Sequence, residues 1–228
     1  MFGRSEHCPG VIYDERQHQA NALNGSPTNF LWFREQFTKK IDDSTRAYIE
    51  LGEALNLHTR YKCRVRWPWY MVPSVYATEI GMLKRSHHAP RLILNKIGAY
   101  TTDTAYRIRV PSKQFVTPQK LVGCFFNPLT ALSAELEGRH YGGGVLELIP
   151  SEIERLVVPL PTKVVVDLPD LDNAIRGLPT QEVLARQGKT VLGALGLSRA
   201  KQECVVAGWR RLRDRRQRIS VDLSADGD

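Results

Sequence analysis

The chain has 228 residues, 42% of them apolar and 25% charged, with a net charge of +8 at neutral pH. That length can bury a core without disulfides or metals, and the composition excludes the low-complexity and membrane-spanning classes. The four cysteines (Cys8, Cys63, Cys124 and Cys204) form no C-x-x-C pair, which argues against structural zinc and against a disulfide framework.

Residues 1–30 are polar, broken by Gly and Pro, and read as a loop or frayed arm. The first ten residues, MFGRSEHCPG, carry no basic-then-apolar signal pattern, so the expected location is the cytoplasm, with no membrane partner. Residues 42–57 read as a helix capped within Asp42–Ser44, with Tyr48, Leu51 and Leu55 at helical spacing. In residues 60–76, Tyr61, Cys63 and Val65 alternate with Lys62, Arg64 and Arg66. This predicts a half-buried strand with one basic face, ended by Pro68. Residues 91–95 read as a buried strand. Residues 104–110 alternate again, with Tyr106, Ile108 and Val110 on one face and Arg107 and Arg109 on the other.

Asn127-Pro128 is a strong helix start, and Gly138 closes that helix. A loop containing Arg139, His140, Tyr141, Gly142, Gly143 and Gly144 follows, then a strand over 145–149. Ser151 and Glu154 suggest a capping box for a short helix. Residues 180–187 and 198–218 read as helices, and 219–228 as a disordered acidic tail. Strands and helices mix without regular alternation. The expected class is α+β, a mixed sheet with flanking helices and a helical C-terminal subregion. The expected divisions are an arm or linker remnant (1–44), the α+β domain (45–161), a helical region (162–218) and the tail (219–228).

Charge is segregated. Residues 60–110 hold ten Lys/Arg against two acids, so the whole excess of the chain sits there. Gathered cations are the footprint of a polyanion binder. Within that stretch Arg64 and Arg66 stand beside Trp67, Trp69 and Tyr70. Guanidinium groups bind phosphate or read guanine, and rings stack on bases. The alternative is core tryptophans flanked by solvated arginines. The glycine run 142–144 follows a helix and precedes a strand, the reverse of a cofactor-binding glycine loop. A second basic run lies at Arg210–Arg218, for which a supporting electrostatic role is expected. No hydrolase or metalloprotease motif is present, so no catalytic or metal-binding residue is assigned.

Four segments share a resemblance: YKCRVRWPWYMVP (61–73), RLILNKIGAYTTDTAYRI (91–108), FFNPLTALSAELEGRHYGGGVLELIPSEIERLVVPLP (125–161) and LGLSRAKQECVVAGWRRLRDRRQR (195–218). Together and in this order they resemble the C-terminal recognition region of N6-adenine DNA methyltransferases from bacterial restriction–modification systems. The resemblance implies a two-part enzyme. A Rossmann-like domain binds S-adenosyl-methionine and carries an Asn-Pro-Pro-Tyr type motif; the other part selects a sequence in double-stranded DNA, and the target adenine is flipped out. No Asn-Pro-Pro-aromatic motif occurs in these residues, where Asn127-Pro128 is followed by Leu129. The expectation is therefore DNA reading without methyl transfer by this chain alone and with no cofactor of its own. S-adenosyl-methionine would be bound in the complete enzyme. The chain would be a fragment or a specificity subunit partnering a separate catalytic chain, with a basic RNA-binding module as the rival class. The expected DNA-facing residues are Lys62, Arg64, Arg66, Trp67, Trp69, Tyr70, Lys84, Arg85, Arg91, Arg107, Arg109, Arg139, His140, Tyr141, Gly142 and Gly143.

Overall fold

The structure, a computed structural model, describes residues 1–33, 41–111 and 116–219. The expected acidic tail beyond Ile219 lies outside the described residues. The chain divides into two compact units, Met1–Thr28 with Ala77–Asp228 forming one and Asn29–Tyr76 the other.

In chain order the elements open with β1 (Ile12–Tyr13), α1 (Glu15–Leu23), α2 (Asp43–Ala54) and α3 (Tyr61–Arg64). Then come β2 (Ile80–Leu83), β3 (Arg85–Ser86), β4 (Leu92–Asn95), β5 (Ala105–Ile108), α4 (Pro118–Phe125), α5 (Pro128–Glu137), β6 (Arg139–Tyr141) and β7 (Val145–Glu147). The C-terminal part holds α6 (Pro150–Ile153), α7 (Leu168–Gly177), α8 (Thr180–Gln187) and α9 (Arg199–Gln217). The class is α+β.

The larger unit is built on a four-stranded sheet in the order β1-β4-β2-β5, parallel between β1 and β4 and otherwise antiparallel. Every residue of β2 and β4 is buried because both sheet faces are covered. Ile80, Met82, Leu92, Leu94 and Ile12 face one core with Phe125, Ala131, Leu171, Leu184 and Trp209 from the helices. Ile93, Leu83 and Ala105 face a second core with Phe2, Cys8 and Tyr13. Gly81 makes room for Phe2, since a Cβ there would stand 2.7 Å from the ring.

The N-terminal residues are therefore core, which corrects the expected loop or arm. Their backbone is satisfied by remote side chains. Asp172 Oδ1 accepts the N–H groups of Val11 and Ile12 at 2.6 and 2.8 Å. Arg91 donates to the carbonyls of Gly10 and Cys8 at 2.9 and 2.8 Å. Buried backbone groups need such partners, and nothing local in residues 1–13 announces them.

After Leu83 the chain leaves the large sheet for a small antiparallel one, β3-β7-β6. Lys84 joins the two, its N–H donating to Thr104 O and its carbonyl accepting from Leu148 N. The Asn127 side chain caps α5 as expected, accepting from Leu129 and Thr130 N–H, and Ser198 caps α9. The expected capping box shifts. Glu152, not Glu154, reaches back to the Ile149 N–H at 2.9 Å, because α6 begins at Pro150. Helices α4 and α7, capped by Thr117 and Asp167, had no counterpart in the periodicity reading.

In the smaller unit Asp42 caps α2, accepting from the Thr45 N–H at 2.9 Å. The strand expected at 61–66 is instead the single turn α3, where the N–H groups of Cys63 and Arg64 donate to Arg60 O. Alternation makes a strand only where a neighbouring strand supplies the ladder. None pairs here among the described residues, and Tyr61 and Val65 stay 71% and 67% exposed. Among the described residues no helix is long and apolar enough to cross a membrane.

Candidate nucleic-acid interface

Along β7 of the small sheet, side chains alternate between core and solvent. Leu146 points inward and is buried. Its neighbour Glu147 lies on the opposite face, and the register sets Arg85 and Arg139 on either side of it. The result is a cross-strand row, Arg85–Glu147–Arg139. Arg85 Nε bonds Glu147, and Arg139 Nε bonds Glu152 at 2.7 Å. Both arginine side chains remain more than half exposed, at 64% and 54%. The carboxylates therefore fix the direction of two guanidinium forks without hiding them. The pairing holds both groups above the usual arginine range, chiefly through the hydrogen bonds they donate to Glu147 and Glu152. Tyr141 lies on the same face, with Arg85 5.4 Å over its ring.

Gly142–Gly144 close the β6–β7 hairpin. Gly143 and Gly144 have φ of +75° and +71°, which only glycine adopts freely. The expected loop is thus a hairpin turn whose first strand carries Arg139, His140 and Tyr141. Its placement between antiparallel strands leaves no helix N-terminus behind the glycines.

A groove of about 790 Å³ runs beside β3, lined by Arg4, Lys84, Arg85, His87, His88 and Arg91, with Asp103 and Glu147 as its acids. Lys84 Nζ stands 5.1 Å over the Tyr106 ring. Partial burial, then Arg213, His87, Arg216 and Arg91, hold His88 below the usual histidine range. Arg4, His87 and His88 were not among the expected site residues. The adjacent histidines were a visible signal, whereas Arg4 joins the groove only because the N-terminus folds into the core.

The other expected residues separate. Arg91 has a structural position, since its guanidinium serves the Cys8–Gly10 carbonyls and burial lowers its pKa. Arg107 is half-buried on β5, on the face opposite Tyr106. Arg109 is exposed and lines a shallow cavity with Thr78, Glu79 and Asn95.

Lys62, Arg64, Arg66, Trp67, Trp69 and Tyr70 all belong to the smaller unit. There the two tryptophans part company. Trp69 covers Gly52, where a Cβ would stand 2.5 Å from the ring, and its indole N–H donates to Glu53 at 3.1 Å. Tyr70 meets Trp69 and Phe33 edge-on. Trp67 is 88% exposed, and Lys62 and Arg64 of the same segment are exposed as well. Arg66 is half-buried and reaches Met71 O at 3.4 Å.

A family model described as the C-terminal domain of the type II methyltransferase M.Eco57I matches residues 1–192. The chain belongs to that family. It is a C-terminal domain of the type II restriction–modification methyltransferase kind, and the matched residues contain both small-sheet arginines and the whole of the smaller unit. No curated protein and no solved structure matches the chain.

The resemblance implies S-adenosyl-methionine as the methyl donor of a complete enzyme, and the described residues do not fit a Rossmann-type site for it. A Rossmann-type site needs a strand, a glycine turn and a helix N-terminus in that order. The glycine turn here joins two antiparallel strands, and the parallel pair of the large sheet is only two residues long. Among the described residues no group of three His, Cys, Asp or Glu is arranged to hold a metal.

Proposed function

We propose that this M.Eco57I-type C-terminal domain binds double-stranded DNA as the target-recognition part of an adenine-N6 methyltransferase, with methyl transfer carried out by another polypeptide region or a partner chain. The observation that supports it is the Arg85–Glu147–Arg139 row. A guanidinium oriented by a carboxylate keeps outward N–H groups in a fixed fork, which suits bidentate binding of phosphate or a guanine edge. An exposed surface pair adds only about 0–1 kcal/mol to stability, so holding this row on a ligand costs the fold little.

In this reading Arg85, Arg139 and Tyr141 form one contact edge, with half-exposed His140 flanking it from the other side of β6, 3.9 Å from Glu135. The Gly142–Gly143 backbone allows close approach, and Lys84, Arg107 and Arg109 add phosphate contacts. In the smaller unit Lys62, Arg64 and Arg66 serve phosphates, and Trp67 offers a ring to stack on a base or wedge into a step. Trp69 and Tyr70 hold that segment in shape.

The test is equilibrium binding of the chain to a mixed-sequence duplex over a salt series. With about six phosphates neutralised, log K falls against log salt with a slope near −5. R85A with R139A lowers the slope magnitude by about two. A salt-independent affinity, or RNA competing better than duplex DNA, overturns the reading.

A further inference from the structure

Helix α9 lies beyond the residues that match the family, yet its last turn reaches the contact edge. Arg216 is wholly buried, as is its partner Glu135 on α5. Nε and Nη2 form a bidentate pair with Glu135 at 2.8 and 2.6 Å. The same guanidinium donates to the carbonyl of Gly144 in the hairpin turn and to the carbonyls of His87 and His88 beside β3, the last two at 3.0 and 3.4 Å. Gln217 Nε2 adds a second bond to His87 O. Gly144 is fitted closely to this helix end, since a Cβ there would stand 3.0 Å from Gln217 Cα.

One side chain thus ties together three segments distant in sequence: α5, the hairpin turn and the loop after β3. For stability alone a buried ion pair is a poor device, because an apolar side chain of like volume often does as well. What an apolar residue cannot do is donate to three backbone carbonyls at once. Lysine keeps the charge but lacks the planar fork.

We propose that Arg216 is a positioning residue: from α9 it fixes the β6–β7 hairpin against the His87–His88 loop, and so sets the spacing of Arg85 and Arg139. The link to DNA rests on the function proposed above; the clamp itself does not. The charge-conserving variant R216K separates position from charge, and G144A perturbs the same contact from the hairpin side.

Two measurements are made on each full-length variant. In hydrogen exchange, amides of 85–88 and 139–147 exchange at least about tenfold faster, while amides of β2 and β4 are unchanged. In duplex binding, R216K lowers the salt slope by about as much as R85A with R139A, although no charge is lost, and the triple variant shows no further drop. Unchanged exchange in the hairpin for both variants overturns the clamp. Uniform loosening of the whole unit assigns Arg216 to global stability and overturns positioning. A loosened hairpin with unaltered duplex binding breaks the link between clamp and contact edge. Absence of duplex binding by the unaltered chain instead overturns the DNA reading and leaves the exchange result to judge the clamp.

Discussion

His7 shows what a single buried side chain imposes on this fold. It is 7% exposed, and its Nδ1 accepts the Gly3 N–H at 3.3 Å, so that nitrogen must be unprotonated. Burial lowers its pKa, against a smaller opposing effect from Glu6. A histidine lowered by folding contributes stability that is full above its unfolded value of about 6.5 and is lost as pH falls through that value toward the folded one. Chemical denaturation between pH 7.5 and 5 is expected to show stability decreasing with acid. H7Q flattens that dependence; an equally steep profile in H7Q assigns the loss to other groups. The tryptophans teach a related lesson about legibility. The sequence placed Trp67 and Trp69 in one cluster, and both core and contact readings were open. The structure divides them, because Gly52 and Glu53 on α2 receive Trp69 and leave Trp67 in solvent.

Among the elements, β1 depends on a helix far along the chain. Asp172 on α7 accepts from two β1-region N–H groups and pairs with Arg176 at 2.6 Å. Removing its carboxylate leaves two buried donors unsatisfied and an arginine unpaired. D172A is therefore expected to cost roughly 2–4 kcal/mol, read from the urea midpoint at unchanged m-value; a loss below about 0.5 kcal/mol, the range of ordinary surface changes, contradicts this anchoring role. Elements with strong local signals were legible. The Asn127-Pro128 start, the Ser198 cap, the buried run of β4 and the alternating strand β5 appear where spacing placed them. The alternation in 61–66 is real, but among the described residues no strand lies beside it to complete a ladder. Residues 1–13 are the opposite case, since their hydrogen-bond partners are remote and their apolar residues follow no local period. Arg85 and Arg139 were legible as candidates, but their row was not, because it depends on the register across three short strands.

For the molecule as a whole, the consequence is that the larger unit is discontinuous in sequence. Phe2, Tyr13 and β1 belong to the same core as strands that come after residue 77. A chain nicked at an engineered protease site at Gly25, an exposed turn with nothing packed on its α-carbon, is expected to keep its N-terminal fragment through gel filtration. The fragment is released only in denaturant, because its core contacts and β1 pairing outlast the broken peptide bond. Release in plain buffer contradicts an integrated N-terminus. The amino-acid sequence by itself determined the class of the fold, the concentration of cations in one stretch and the kinship with a methyltransferase C-terminal domain, because composition, periodicity, caps and motifs act over a few residues. Only the tertiary structure decided which cations face outward and which are consumed inside. Arg85 and Arg139 stay exposed, while Arg91 and Arg216 are drawn into carbonyl and carboxylate partners 72 or more residues away, and a charge's role depends on which partner reaches it first.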